Sequence, residues 1–191
     1  RIDIYKTSEA TTEWRQLYHK PIVIDECAYE GNINYGWGNI DGEEMTRRFW
    51  EGCIRGGYLT HGEVYVDKGD QVWWSHGGTL HGTCTERIAF CRKIFEEAPD
   101  DAEPLKLSIE NHLANWDVPC FHAGNKYFLY YFGFFQPLFR TYSLPEGHAY
   151  EIEIIDTWDM TIKKLPGTFK GDIKIDLPQK KFIAIRMNEV C

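Results

Sequence analysis

The chain has 191 residues, 43% hydrophobic and 15% aromatic, which is enough apolar surface to close a packed core. Its 29 Asp and Glu outnumber 21 Lys and Arg, and the net charge of -8 without a basic run argues against nucleic acid and anionic membrane surfaces as partners. No apolar stretch approaches the ~20 residues that cross a bilayer.

The opening residues, Arg1 to Tyr5, do not resemble a signal peptide, and with no Met at the start the chain reads as part of a longer parent. Six cysteines (Cys27, Cys53, Cys84, Cys91, Cys120 and Cys191) are dispersed without a Cys-x-x-Cys pair, which argues against a zinc ribbon or a dense disulfide scaffold. Cys53 and Cys91 fall inside helical patterns as small hydrophobes, so a reducing, cytoplasmic setting is preferred.

In chain order, the pattern predicts a helix over 7–18, capped by Thr7 or Ser8 and stopped at Lys20-Pro21. Pro21 to Glu26 is apolar on both faces until its last two residues, as in a strand of a buried parallel sheet. A Gly/Asn-rich loop follows from Cys27 to Ile40. Asp41 caps a second helix reaching about Arg55, with Met45, Phe49, Trp50 and Cys53 at helical spacing and Gly56-Gly57 at its end. Tyr58 to Tyr65 reads as another strand, and Val66 to Gly82 as a second long loop rich in Trp, His and Gly. Thr83 opens a third helix as a capping box with Glu86, with Ile88, Phe90, Cys91, Ile94 and Phe95 facing inward. Long loops that follow strands belong to α/β layer folds, in which functional residues sit at the carboxyl ends of strands.

The acidic, proline-containing stretch from Ala98 to Pro104 marks a boundary between a region 1–98 and a region 105–191. Beyond it the pattern is all-β: Lys126–Phe132, the alternating Tyr150, Ile152 and Ile154, the alternating Ile173, Ile175 and Leu177, and Phe182–Met187. Pro145-Glu-Gly147, Pro166-Gly167 and Pro178 punctuate these strands, and 105–119 is ambiguous. The aromatic run Tyr127–Phe135 reads as core packing on both faces rather than as a sugar platform.

The sharpest chemical feature is Asp25-Glu26-Cys27-Ala28-Tyr29-Glu30-Gly31, because an apolar strand there delivers carboxylates at its end. Side chains alternate along a strand, so Glu26 is expected on the face of Ile22 and Ile24, projecting into a cavity, while Asp25 caps loop amides. Trp37, Trp73 and Trp74 lie on the two long loops, where an indole face stacks on a sugar ring, although one of the adjacent Trp73 and Trp74 is expected to anchor its loop. Tyr29, Tyr35 and Asn39 could add hydrogen bonds, Glu63 could bind a sugar hydroxyl or position Glu26, and Glu30 could equally cap a loop.

These residues carry a resemblance. Lys20-Pro-Ile-Val-Ile-Asp-Glu-Cys-Ala-Tyr-Glu-Gly31, Gly56-Gly57-Tyr58, Thr60-His-Gly-Glu63 and Trp73-Trp74-Ser-His-Gly-Gly78 resemble the last two β/α units of bacterial apiosidase-like glycoside hydrolases. Tyr130-Tyr131-Phe132-Gly133 and the segment Ile154–Ile162 resemble the small C-terminal β domain of uncharacterised members. The resemblance implies the end of a (β/α)8 TIM barrel followed by a small β-sandwich, with Glu26 closing strand seven as the nucleophile of a retaining glycosidase. It further implies subsite roles for His61, Glu63, Trp73, Trp74, Trp37 and Tyr29, a carbohydrate substrate, and no cofactor. The acid/base carboxylate of that clan comes from strand four, so the missing barrel half or a second chain would supply it.

Two other readings compete. A chain without the second carboxylate could be a non-catalytic carbohydrate-binding or interaction module. His61, Glu63, His76 and His81 could instead bind zinc or iron in a metal-dependent hydrolase, but no His-x-His or His-Glu-x-x-His spacing supports a metal there.

Overall fold

The computed structural model describes residues 8–67, 69–73, 76–106 and 118–190. The chain divides into two compact units, Arg1–Arg92 and Lys93–Cys191. No helix among the described residues is long and apolar enough to cross a membrane.

In the first unit α1 (Thr11–Tyr18) leads to β1 (Ile22–Ile24) and the two-residue β2 (Glu30–Gly31), followed by α2 (Gly42–Ile54), β3 (Gly57–Leu59), β4 (Glu63–Asp67), β5 (Asp70–Val72) and α3 (Thr85–Glu96). The cap expected at Thr7 or Ser8 is not the one used: Thr7 lies outside the described residues, Ser8 is buried, and Ala10 holds the cap position of α1 without a side-chain bond. Residue His19, in the left-handed region at φ 49°, ends that helix before Pro21 is reached. By contrast, Asp41 caps α2 as the sequence implies, accepting from the Glu44 amide at 2.8 Å.

Two of the first unit's strand pairs are parallel. β1 runs beside β3 with Ile22 opposite Gly57 and Ile24 opposite Leu59, and α2 connects the two strands. β2 runs beside β4 with Glu30 opposite Glu63, and β4 turns back antiparallel onto β5. The single strand expected over Tyr58 to Tyr65 is therefore broken at Thr60–Gly62, because its two halves have different partners. The Thr60 amide donates to the Ile24 carbonyl at 3.1 Å and the Gly62 carbonyl accepts from the Glu30 amide at 3.1 Å, so the backbone steps from one pair to the next. Ile24, Cys27, Met45, Phe49 and Cys84 form the core under this layer, with Ile22, Leu59 and Ile88 packed against it. On the opposite face Val23 and Tyr58, register partners, are 63% and 64% exposed.

The second unit is antiparallel. Its strands are β6 (Glu103–Leu105), β7 (Cys120–Ala123), β8 (Tyr127–Tyr131), β9 (Phe139–Ser143), β10 (Tyr150–Asp156), β11 (Thr161–Lys164), β12 (Asp172–Asp176) and β13 (Ile183–Glu189). Six form one sheet in the order β11-β10-β13-β8-β7-β6, and β9 pairs with β12. Tyr142 and Ile175 of the smaller pair share one buried cluster with Phe128, Tyr130, Ile152 and Ile185 of the larger sheet. The Pro145-Glu-Gly147 and Pro166-Gly167 turns place their glycines at φ 82° and 86°, a conformation glycine adopts at little cost. The aromatic run splits: Tyr127 to Phe132 is core, but the chain turns at Gly133 and leaves Phe134 and Phe135 52% and 56% exposed. The ambiguous stretch falls mostly outside the described residues.

Candidate active site

The site is built where β1 ends. Strict alternation would send Glu26 into the core with Ile24. The strand stops at Ile24 instead, Cys27 takes the core position, and Asp25 and Glu26 are both exposed. Four contacts fix this bend. The Thr60 hydroxyl donates to the Asp25 carbonyl at 2.6 Å, and the buried Arg48 of α2 donates to the Cys27 carbonyl at 2.6 Å. The Cys27 thiol, pushed up to about 11 by burial, stays protonated and contacts the Thr60 carbonyl and the Met45 sulfur. Ala28 follows at φ 73°, a left-handed conformation that costs a non-glycine residue about 1 kcal/mol or more.

Beside Glu26 stands an aromatic cluster. The Tyr29 hydroxyl donates to Glu26 Oε1 at 3.4 Å, and burial together with the Glu26 carboxylate holds the phenol above its ordinary range, so it remains a donor. Tyr29 meets Trp37 edge-on with centroids 5.6 Å apart, Tyr35 stacks on Trp37 at 6.2 Å, and Trp73 meets Trp37 edge-on at 5.7 Å. The two long loops are thus joined, and Asn32 reinforces the junction by bonding both the carbonyl and the amide of Val66. Gly62 makes room for this cluster, since a Cβ there would overlap the Tyr29 ring. Trp73 is half-buried at the base of a tight turn, its carbonyl accepting from the His76 and Gly77 amides. Trp74 lies outside the described residues. Asn39 is exposed beyond the cluster.

Glu63 and His61 sit behind this surface. The Glu63 side chain is fully buried, and its Oε2 accepts from the His81 and Gly82 amides at 2.8 and 2.9 Å. Glu30 is buried as well: its Oε1 accepts from the amide and hydroxyl of Thr83 at 2.7 and 3.1 Å, and its Oε2 from the Cys84 amide at 3.1 Å. The chain enters α3 held by Glu30, and the helix begins at Thr85 rather than at a Thr83–Glu86 box. Between the two carboxylates lies Gly82, where a Cβ would overlap Glu30 and come within 2.6 Å of Glu63 Oε1. His61 Nε2 is 3.4 Å from Glu63 Oε1. The four groups of the rival metal reading are separated in use: His81 pairs with Asp70 at 2.8 Å and His76 is exposed on its turn.

Sequence reasoning missed Arg48, Thr60 and Gly62, which hold the Glu26 loop and its tyrosine. Their signal is faint, because a helix arginine reads as solvent-facing and a loop Thr or Gly as a turn residue.

Comparison with known proteins supports a carbohydrate-active fold. A 1.80 Å crystal structure from Bacteroides vulgatus, described as "a putative glycoside hydrolase", matches at 30% identity and a TM-score of 0.83, covering 97% of this chain and 39% of that one. The structural neighbours are glycoside hydrolases. A glycoside hydrolase family 5 protein from the same organism matches at 10% identity and a TM-score of 0.62, over 96% of this chain and 45% of that one. A family 30 endoxylanase from Clostridium papyrosolvens matches at 11% identity and a TM-score of 0.50, over 93% and 44%. At these two identities the likeness concerns fold alone. The chain spans about two fifths of the length of the neighbours it matches. A family profile described as a domain of unknown function, DUF5605, matches residues 116–188, and no curated protein matches the chain.

Proposed function

We propose that the chain supplies the nucleophile and part of the sugar subsite of a retaining glycosidase, of the apiosidase-like kind. The observation that carries this reading is the position of Glu26, an exposed carboxylate just beyond the end of a parallel strand, hydrogen-bonded by Tyr29 and bordered by Trp37 and Trp73. Active-site carboxylates of parallel barrels occupy that end of their strands. The first unit would then be the closing part of a (β/α)8 barrel, and the second a small β-sandwich. The uncovered Val23 and Tyr58 support this, because in a closed barrel that face of the strands is the packed interior.

Glu26 would attack the anomeric carbon and form the glycosyl-enzyme, with Tyr29 holding the carboxylate in line. A second carboxylate about 5 Å away must protonate the leaving oxygen and then activate water, and we assign it to the parent protein outside these residues. Trp37 and Trp73 would stack on the sugar. Glu63 and His61 would act from behind, by fixing the loop that carries residues 81 and 82.

The test is Glu26→Gln in the parent protein. Hydrolysis is expected to disappear while sugar still quenches tryptophan fluorescence. An active E26Q variant overturns the nucleophile assignment, and a wild-type parent that binds sugar without cleaving it favours a binding module.

A further inference from the structure

Away from the exposed surface of the candidate site, Glu30 and Glu63 face each other across the β2–β4 pair, both buried, and both turned toward Gly82. Among the described residues neither carboxylate is paired with a Lys or Arg. Two adjacent buried carboxylates concentrate negative charge in one place, which a bound cation would offset. Backbone amides from Cys84, Thr83, Gly82 and His81 supply part of that compensation.

The side chains around them are of types that ligate metals. A carboxylate oxygen of Glu30, a ring nitrogen of His61 and Cys84 Sγ all lie within 4.8 Å of one another. Independently, two polar atoms point at this place without a hydrogen-bond partner. One is His61 Nε2, and the other is Oε1 of the fully buried Glu63, 3.4 Å away. An unsatisfied buried carboxylate oxygen is expensive, and a ligand that satisfies it is the simplest account of its orientation.

We propose that Glu30, His61 and Cys84 bind a structural zinc ion, and that Glu63 Oε1, which lies beside His61 outside that cluster, moves in to take the fourth position. One imidazole, one thiolate and carboxylate oxygens form a borderline-soft set suited to Zn2+ and unsuited to Ca2+ or Mg2+, which take oxygen ligands at higher coordination numbers. Bonds of about 2.0–2.3 Å put tetrahedral donors roughly 3.5 Å apart, so the three clustered donors, now within 4.8 Å of one another, have only a short distance to close. Binding displaces the proton of the Cys84 thiol to solvent, and the two carboxylates and the thiolate then more than neutralise the ion, leaving one net negative charge for the surrounding backbone amides to stabilise. The ion would tie β2, β4 and the entry to α3 into one cross-linked corner. This set shares only His61 and Glu63 with the histidine-rich one suggested by the sequence.

The probe is Zn2+ itself, followed by Co2+ substitution, on the full-length protein purified without chelator. About one zinc per chain is expected, with a thiolate-to-cobalt charge-transfer band after exchange. Cys84→Ser should abolish that band. His61→Gln, at a partly exposed position, should keep the wild-type circular dichroism while its zinc affinity falls on the order of 100-fold in competition with a chromophoric chelator. Protein that retains no zinc and shows no band overturns the site, and so does a folded His61→Gln that binds zinc as tightly as wild type. These readouts do not involve hydrolysis, so the site and the glycosidase reading stand or fall separately.

Discussion

The guanidinium of Arg48 reaches out of α2 to the carbonyl of Cys27 at 2.6 Å, and through that bond a helix in the core sets the position of Glu26 one residue away. The same arginine is held by Glu44 at 2.7 Å, which also grips Arg47, and Arg47 in turn pairs with Glu9 at 2.6 Å.

Replacing Arg48 with Met keeps most of the buried volume but removes the donor to Cys27 and half of the charge around Glu44. Breaking a buried pair costs about 3–5 kcal/mol when the partner is left alone. Because Glu44 retains Arg47, a loss of about 2–3 kcal/mol is expected in urea unfolding. If Arg48 holds the catalytic loop, kcat of the parent protein should fall more than KM rises. A variant of wild-type stability and turnover would remove Arg48 from this role.

The Tyr29 hydroxyl and the small size of Gly62 are two requirements of one arrangement. Tyr29→Phe removes the hydrogen bond to Glu26, and Gly62→Ala pushes the ring away by steric overlap. Each should slow hydrolysis by about tenfold, the scale of one hydrogen bond of about 1.4 kcal/mol. The double variant should be little worse than either, because both changes delete the same contact. Full additivity in kcat would show that Gly62 acts elsewhere.

Much of this architecture is legible in the sequence. Asp41 ahead of Met45 and Phe49, and the alternations through Tyr150–Ile154 and Ile173–Leu177, announce α2, β10 and β12 because capping and periodicity are local properties. The β2–β4 pair is not local: it is two residues long on one side and joins residues more than thirty positions apart, so no periodicity reports it. The buried Arg47 and Arg48 escape notice for a similar reason, since only tertiary partners make a helix arginine a core residue. Within the candidate site, Glu26 and the tryptophans are marked by composition. The inward turn of Glu63 and the approach of Cys84 to Glu30 depend on how the loop through Gly82 packs.

Glu44 also gives the protein an acid limit. Burial alone would raise its carboxyl, but hydrogen bonds and charge from Arg47 and Arg48 outweigh this and hold it below the usual range. A carboxylate depressed in the folded state adds stability above its unfolded value, about 4.3, and loses it as pH falls through the folded value. Glu44→Gln should therefore be less stable than wild type at pH 7, and the gap should narrow below about pH 4. Urea midpoints of both proteins measured from pH 7 to 3 test this, and a gap that stays constant contradicts the linkage.

In the second unit Arg186 of β13 performs a comparable task between strands. Its Nε donates to Glu153, its register partner on β10, at 2.7 Å, and a terminal nitrogen donates to Glu97 at 2.6 Å. The Tyr127 hydroxyl faces the same guanidinium; burial pushes the phenol up and Arg186 opposes that shift. The planar fork of arginine serves two carboxylates at once, which an ammonium cannot match. Arg186→Met should preserve the packing of the alkyl stem yet destabilise the unit by about 2–3 kcal/mol, because Glu153 is left partly buried without a partner. Arg186→Lys should recover about half of that loss by keeping one pair. Hydrogen exchange of the β8, β10 and β13 amides is the appropriate measurement, since it reads this sheet directly. If Arg186→Met exchanges within about 0.5 kcal/mol of wild type, the bridge contributes register but no stability.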